Sequence, residues 1–166
     1  MNRTIKKMIF GLKELKKWDK MREDGINKLE VHVAGVCLRK KDDQWQVLVA
    51  KRSPNRELYP NMWECGGGQL NPGENFIDGL KRQMKEELGV IINNPREFKV
   101  YEINLSQKKI PGVRFICDIE KYVNGKEPQV DGKELIEWKW LNISEIDKFD
   151  IIPSLKEDLK QIARNL

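Results

Sequence analysis

Histidine is nearly missing from this 166-residue chain, which holds one, and cysteine is scarce, with three. Cys37, Cys65 and Cys117 are odd in number and form no C-x-x-C pair, which argues against both a disulfide framework and a zinc knuckle. That usage suits a reducing, cytoplasmic setting. With a single imidazole, any metal chemistry must rest on carboxylates. Long apolar runs are missing as well, none approaching the ~20 residues of a membrane-spanning helix. No repeat, low-complexity tract or linker divides the chain. What is present, 34% charged and 39% hydrophobic residues, is the composition of one folded domain with its own core.

The net charge of +5 sits at one end. Residues 1–22 carry eight Lys and Arg against Glu14 and Asp19, a balance of +6, so the rest sums to about −1 and shows no nucleic-acid-binding body. Ile5, Met8, Ile9, Leu12 and Leu15 recur at helical spacing, and Trp18 and Met21 extend the stripe. The pattern predicts a basic amphipathic helix within residues 1–27, stopped by Gly25 and Asn27, ahead of a domain over 28–166. Charges on both sides of residues 8–12 do not fit a secretory signal. The stripe would pack on the domain or across a homodimer interface; contact with nucleic acid or an anionic membrane is the less favoured alternative.

From Lys28 onward the texture changes to strands. Residues 29–38 and 45–50 read as a hairpin around a turn at 40–43, followed by a loop at 53–61 and a short strand running into glycines at 63–68. A helix is expected over 75–88, opened by Asn71-Pro72-Gly73 and closed by Gly89. Strands follow at 97–105, 113–122 and 135–141, then a helix at 153–163 with Pro153 in its first turn. The fold class is therefore mixed α/β.

The 75–88 helix carries the chemistry. Phe76, Ile77, Leu80, Met84 and Leu88 share a face, the expected core side, while Asp78, Lys81 and Lys85 point away. Glu87 falls inside the apolar sector, with Gln83 and Glu86 at its edge. A carboxylate there costs several kcal/mol unless neutralised. A divalent cation would satisfy Glu86 and Glu87 together, and an oxygen-only site suits Mg²⁺, or Mn²⁺ in its place. Gly66, Gly67 and Gly68 leave backbone open to close approach by a ligand, as does Gly79 on the helix.

These residues are similar to the Nudix box, G-x5-E-x7-R-E-U-x-E-E-x-G-U with U a bulky aliphatic. Gly68, Glu74, Arg82, Met84, Glu86, Glu87, Gly89 and Val90 fall on its positions, and Gln83 stands where its first glutamate belongs. The resemblance to the Nudix (MutT-type) hydrolases covers about residues 30–165. It implies an α/β/α sandwich with a mixed sheet and Mg²⁺-dependent hydrolysis of a nucleoside diphosphate linked to another moiety. Glu86 and Glu87 would be metal ligands with the carbonyl of Gly67, Glu134 the distal acid, and Glu74–Arg82 a structural ion pair. Gly67, Gly68 and Arg52 would meet the phosphates. The residue at position 83 would help to fix or activate water, which an amide cannot do by taking a proton. The base would then be Glu134 or Glu86, or the protein would be a nucleotide-binding module with weak or no turnover. Tyr59, Trp63, Phe115 and Trp138 are candidates for stacking on a base. The guanine-reading asparagine of MutT-type enzymes would fall near Ile152 and the proline of ADP-ribose hydrolases near Leu105, so neither is present.

Overall fold

The structure, a computed structural model, describes residues 30–106 and 108–166. The helix expected within residues 1–27, and the boundary after it, lie outside that range.

Strands β1 (His32–Lys41) and β2 (Gln44–Arg52) form the expected hairpin, both longer at their C-terminal ends than the pattern suggested. Asp42 and Asp43 make the turn at φ of 48° and 59°. Positive φ at both positions is what a two-residue turn of matching twist requires, and Asp tolerates it. The first half of β1 leaves this partner. It pairs in parallel with β6 (Lys109–Tyr122), from His32 opposite Gly112 to Cys37 opposite Cys117. On its other side it pairs antiparallel with β4 (Gly66–Gln69). Strand β2 is flanked by β3 (Trp63–Glu64) and β7 (Leu135–Asn142). Strand β5 (Val90–Asn104) runs antiparallel to β6. It begins directly after Gly89, earlier than the expected start at 97, and its pairing shifts register around Pro95, which has no N–H to donate.

The sheet is buried on both faces. Along β2, Leu48 and Ala50 face one core while Val47 and Val49 face the other. Helix α1 (Phe76–Leu88) covers the first face with Leu80, Met84 and Leu88, against Val33, Cys37 and Phe115. Helix α2 (Pro153–Ala163) covers the second with Leu155, Leu159 and Ile162, against Val36, Trp63 and Leu141. A 3₁₀ turn, Ile143–Lys148, joins β7 to α2. Double coverage explains the near-continuous apolar runs in β1 and β2. Phe76 departs from expectation: it sits at the first position of α1 and is exposed.

A buried charge cluster fastens α2 to the sheet. Asp158 accepts from Arg114 of β6 and, at 2.8 Å, from Lys99 of β5. Asp158 and Arg114 are both buried, whereas Lys99 is half-exposed. The C-terminus of α1 is tied to the segment joining β6 and β7: Val123 N–H donates to Gly89 O at 2.8 Å, and Gln129 N–H to Leu88 O at 2.8 Å. Cys37, Cys65 and Cys117 are free and buried. No helix among the described residues is long and apolar enough to cross a membrane.

Candidate active site

Local chemistry fixes α1 before any ligand is considered. Asn75 caps its start, accepting from Asp78 N–H at 2.9 Å, and Gly89 at φ 61° ends it by donating to Lys85 O at 3.1 Å. Arg82 binds Glu74 with two nearly parallel bonds, Nε to Oε1 at 2.8 Å and Nη2 to Oε2 at 2.7 Å. It also reaches Gln69 O at 3.0 Å and Glu86 Oε2 at 3.1 Å. The guanidinium, with help from Asn71 N–H, holds the Glu74 carboxyl down at about 2. One arginine thus joins the glycine strand, the loop and the helix. Gly79 serves this joint rather than a ligand: a Cβ there would lie 2.1 Å from Leu70 Cδ2 and 3.1 Å from Glu74 Oε2.

The glycine strand meets the acidic face of α1 at close range. Gly67, at φ 157°, has Val33 O where a Cβ would stand, at 2.3 Å. Its N–H donates to Glu87 Oε2 at 2.8 Å, so its observed link to the acid is through the amide and not the carbonyl. A Cβ on Gly68 would fall 2.4 Å from the Gln83 side chain. Gln83 uses the space to donate from Nε2 to Gln69 O at 3.0 Å.

A cavity of about 1010 Å³ opens beside this contact. Gly67, Gly68, Gln83, Glu86, Glu87 and Glu134 all line it. Glu87 is half-buried, and burial pushes its carboxyl up to about 8, the Gly67 N–H opposing and Glu64 and Glu134 adding to the rise. Glu86 is exposed and leans on Arg82. Glu134 is held by Arg56 at 2.7 Å. Among the described residues no three acids, histidines or cysteines stand close enough together to hold a metal ion as they are placed.

Arg52 also lines the cavity, but its guanidinium is committed to Glu64 at 2.7 and 2.8 Å and to Leu58 O at 2.9 Å. Trp63 and Phe115 belong to the two cores and Trp138 packs against one of them, so of the four stacking candidates only Tyr59 is exposed and lines the cavity. His32, Tyr101 and Arg114 form one further part of the wall. His32 Nδ1 and Tyr101 Oη are 2.5 Å apart, and Arg114 lies over the Tyr101 ring at 4.4 Å. Burial, then Arg114, Arg52 and Arg56, pull the imidazole down to about 4, so it is neutral near pH 7.

Sequence reasoning missed Glu64 and Arg56. Glu64 left a signal, a lone acid in the apolar stretch Trp63-Glu64-Cys65; burial raises its carboxyl against the pull of Arg52. Arg56 left none, because position in a loop obeys no period.

The NUDIX domain family model matches residues 29–165 of the chain. A nucleoside triphosphatase, NudI of Salmonella arizonae, is 40% identical over 42 residues, 25% of this chain and 30% of that protein. The NudI of Salmonella agona is 37% identical over 54 residues, 32% and 38% of the two chains. The chain therefore matches only 30% to 38% of the length of these curated relatives. The fold is shared with the NUDIX domain of Shewanella oneidensis NrtR solved with ADP ribose, at 15% identity and a TM-score of 0.68 over 84% of this chain and 92% of that one. A C. elegans Ap4A hydrolase superposes at 17% identity and a TM-score of 0.65, over 81% and 95%.

Proposed function

Because this chain belongs to the Nudix hydrolase family, we propose that it hydrolyses the phosphoric anhydride of a small nucleotide, a nucleoside diphosphate linked to another moiety, with Mg²⁺ or Mn²⁺ as its metal. The observation that carries the reading is Glu87: a half-buried carboxylate raised to about 8, facing a cavity and paired with no Lys or Arg among the described residues. The donor set around it is oxygen alone, which fits a hard divalent cation. Glu86, Glu87 and Glu134, with Gly67 on the strand opposite, would hold the ion. Bound there, it would neutralise phosphate charge and acidify the attacking water.

The chain's own groups do the rest. The Glu74–Arg82 pair fastens the glycine strand to α1, and the space a Cβ would take at Gly67 and Gly68 is filled by Val33 O and the Gln83 side chain, so these glycines seat the strand against its neighbours and only their backbone faces the cavity. The Arg52–Glu64 pair holds the 53–61 loop at the cavity mouth through Leu58 O. Gln83 cannot accept a proton near neutral pH, so that task falls to Glu134 or Glu86 on the same wall. Tyr59 offers a ring for the base. Free cysteines suit a cytoplasmic setting.

The amide at position 83 also favours a second reading, a nucleotide-binding module of low turnover. Both are tested by product release from nucleoside triphosphates, the class that NudI's name indicates. ADP-ribose, dinucleoside polyphosphates and nucleotide sugars complete the panel, each with Mg²⁺ and with Mn²⁺. Turnover that Glu87→Gln abolishes is the expected result. Binding without turnover would select the module, and inertness of every substrate would overturn the hydrolase reading.

A further inference from the structure

The cations of the cavity are unequally committed. Among the described residues, three arginines line it: Arg52, Arg56 and Arg114. Arg52 is buried and bound twice to Glu64, and Arg114 is buried against Asp158. Arg56 is different. Its side chain is 37% exposed and meets Glu134, itself 52% exposed, through Nη1 at 2.7 Å. An exposed single-contact pair of this kind is weak, while a phosphate offers an arginine two parallel charge-assisted bonds.

The backbone on both sides is already fixed. Arg56 N–H donates to Ser53 O at 3.2 Å, and Ser53 N–H to Glu134 O at 2.9 Å. Glu134 N–H donates to Asp131 Oδ1 at 3.0 Å. Either side chain can therefore change partner by rotating, with no loop to rebuild.

We propose that Arg56 is a phosphate-binding residue that exchanges partners, holding Glu134 in the substrate-free protein and leaving it for the diphosphate of the substrate. The exchange turns the Glu134 carboxylate loose beside Glu87 at the moment the phosphates arrive. Substrate entry and completion of the acid set are then one event. This inference rests on the hydrolase reading above for the role of Glu134.

Calorimetric titration of inorganic pyrophosphate, with EDTA present, tests the exchange without turnover or metal. Arg56→Ala weakens binding about tenfold or more, and Arg56→Lys keeps part of it, as a point charge in place of a fork should. Glu134→Gln tightens binding, by about two- to fivefold, because the competing carboxylate is gone. In the Arg56→Ala background that gain disappears. Both residues are part-exposed, so melting curves matching the parent protein show that each variant is folded. A Glu134→Gln protein that binds pyrophosphate no better than the parent overturns the exchange, as does a gain that survives without Arg56. Pyrophosphate bound equally by all variants sinks the exchange, and so does pyrophosphate bound by none, since the arginine is required to hold it without metal; neither result touches the metal-dependent hydrolase reading, which product release tests.

Discussion

At position 83 a glutamate would face the carbonyl oxygen of Gln69, to which the present amide donates across 3.0 Å. The departure from the Nudix box is thus built into the local hydrogen bonding: the amide donates where a carboxylate would repel. Gln83→Glu should lower stability by about 1 kcal/mol or less, since the lost bond is exposed and Gln69 O keeps its bond from Arg82, measured by urea denaturation. On the hydrolase reading it should change kcat by far less than the roughly 10²–10⁴-fold worth of a general base. A rise of that size would show that position 83 is where the site lacks its acid. The identity of residue 83 was legible in the sequence. Its partner was not, because spacing along a helix does not say which backbone oxygen will lie opposite.

Helix limits are written in local chemistry, and they were readable: Asn75, Gly89 and Pro153 act on their own neighbours. Strand partners are not. Nothing in residues 32–37 announces a parallel match with 112–117, because a period of two records which face is buried and not which strand lies alongside. The join between α2 and the sheet was equally silent, since Asp158 looks like any acid on a helix until Arg114 is placed beneath it. Removing that acid should be severe. Asp158→Ala leaves buried Arg114 without its counter-charge and should cost about 3–5 kcal/mol. Lys99→Ala, at the half-exposed end of the same cluster, should cost under about 1 kcal/mol. Equal losses in thermal unfolding would refute this ranking.

For the molecule as a whole, the cavity joins residues far apart in the chain, His32 with Tyr101 and Glu87 with Gly67, and its buried titratable groups shape how stability responds to pH. His32 has a folded value of about 4 against 6.5 when unfolded, so on acidification the unfolded chain takes up its proton first. Its contribution is complete above pH 6.5 and is lost as pH falls toward 4, by at most about 3 kcal/mol. Glu64 and Glu87 are shifted upward and act in the opposite direction, so the difference between the parent protein and His32→Asn isolates the imidazole. Denaturation at about pH 7.5 and about pH 5 should show the parent losing more stability than the variant. Equal losses would place the histidine in a more solvated setting than its contacts indicate.

The bonds from Val123 to Gly89 O and from Gln129 to Leu88 O divide the segment between β6 and β7 into two parts with different tolerances. From Gln129 to Glu134 the chain is a short fixed tether, and any added or deleted residue would carry the acid away from α1. Residues 124–127 form an exposed turn between the two bonds, built on Asn124 Oδ1 and Gly125 at φ 76°. Length can vary there without moving Glu134. That turn is the natural splice point for an epitope or fluorescent label that reports on the protein without entering its chemistry.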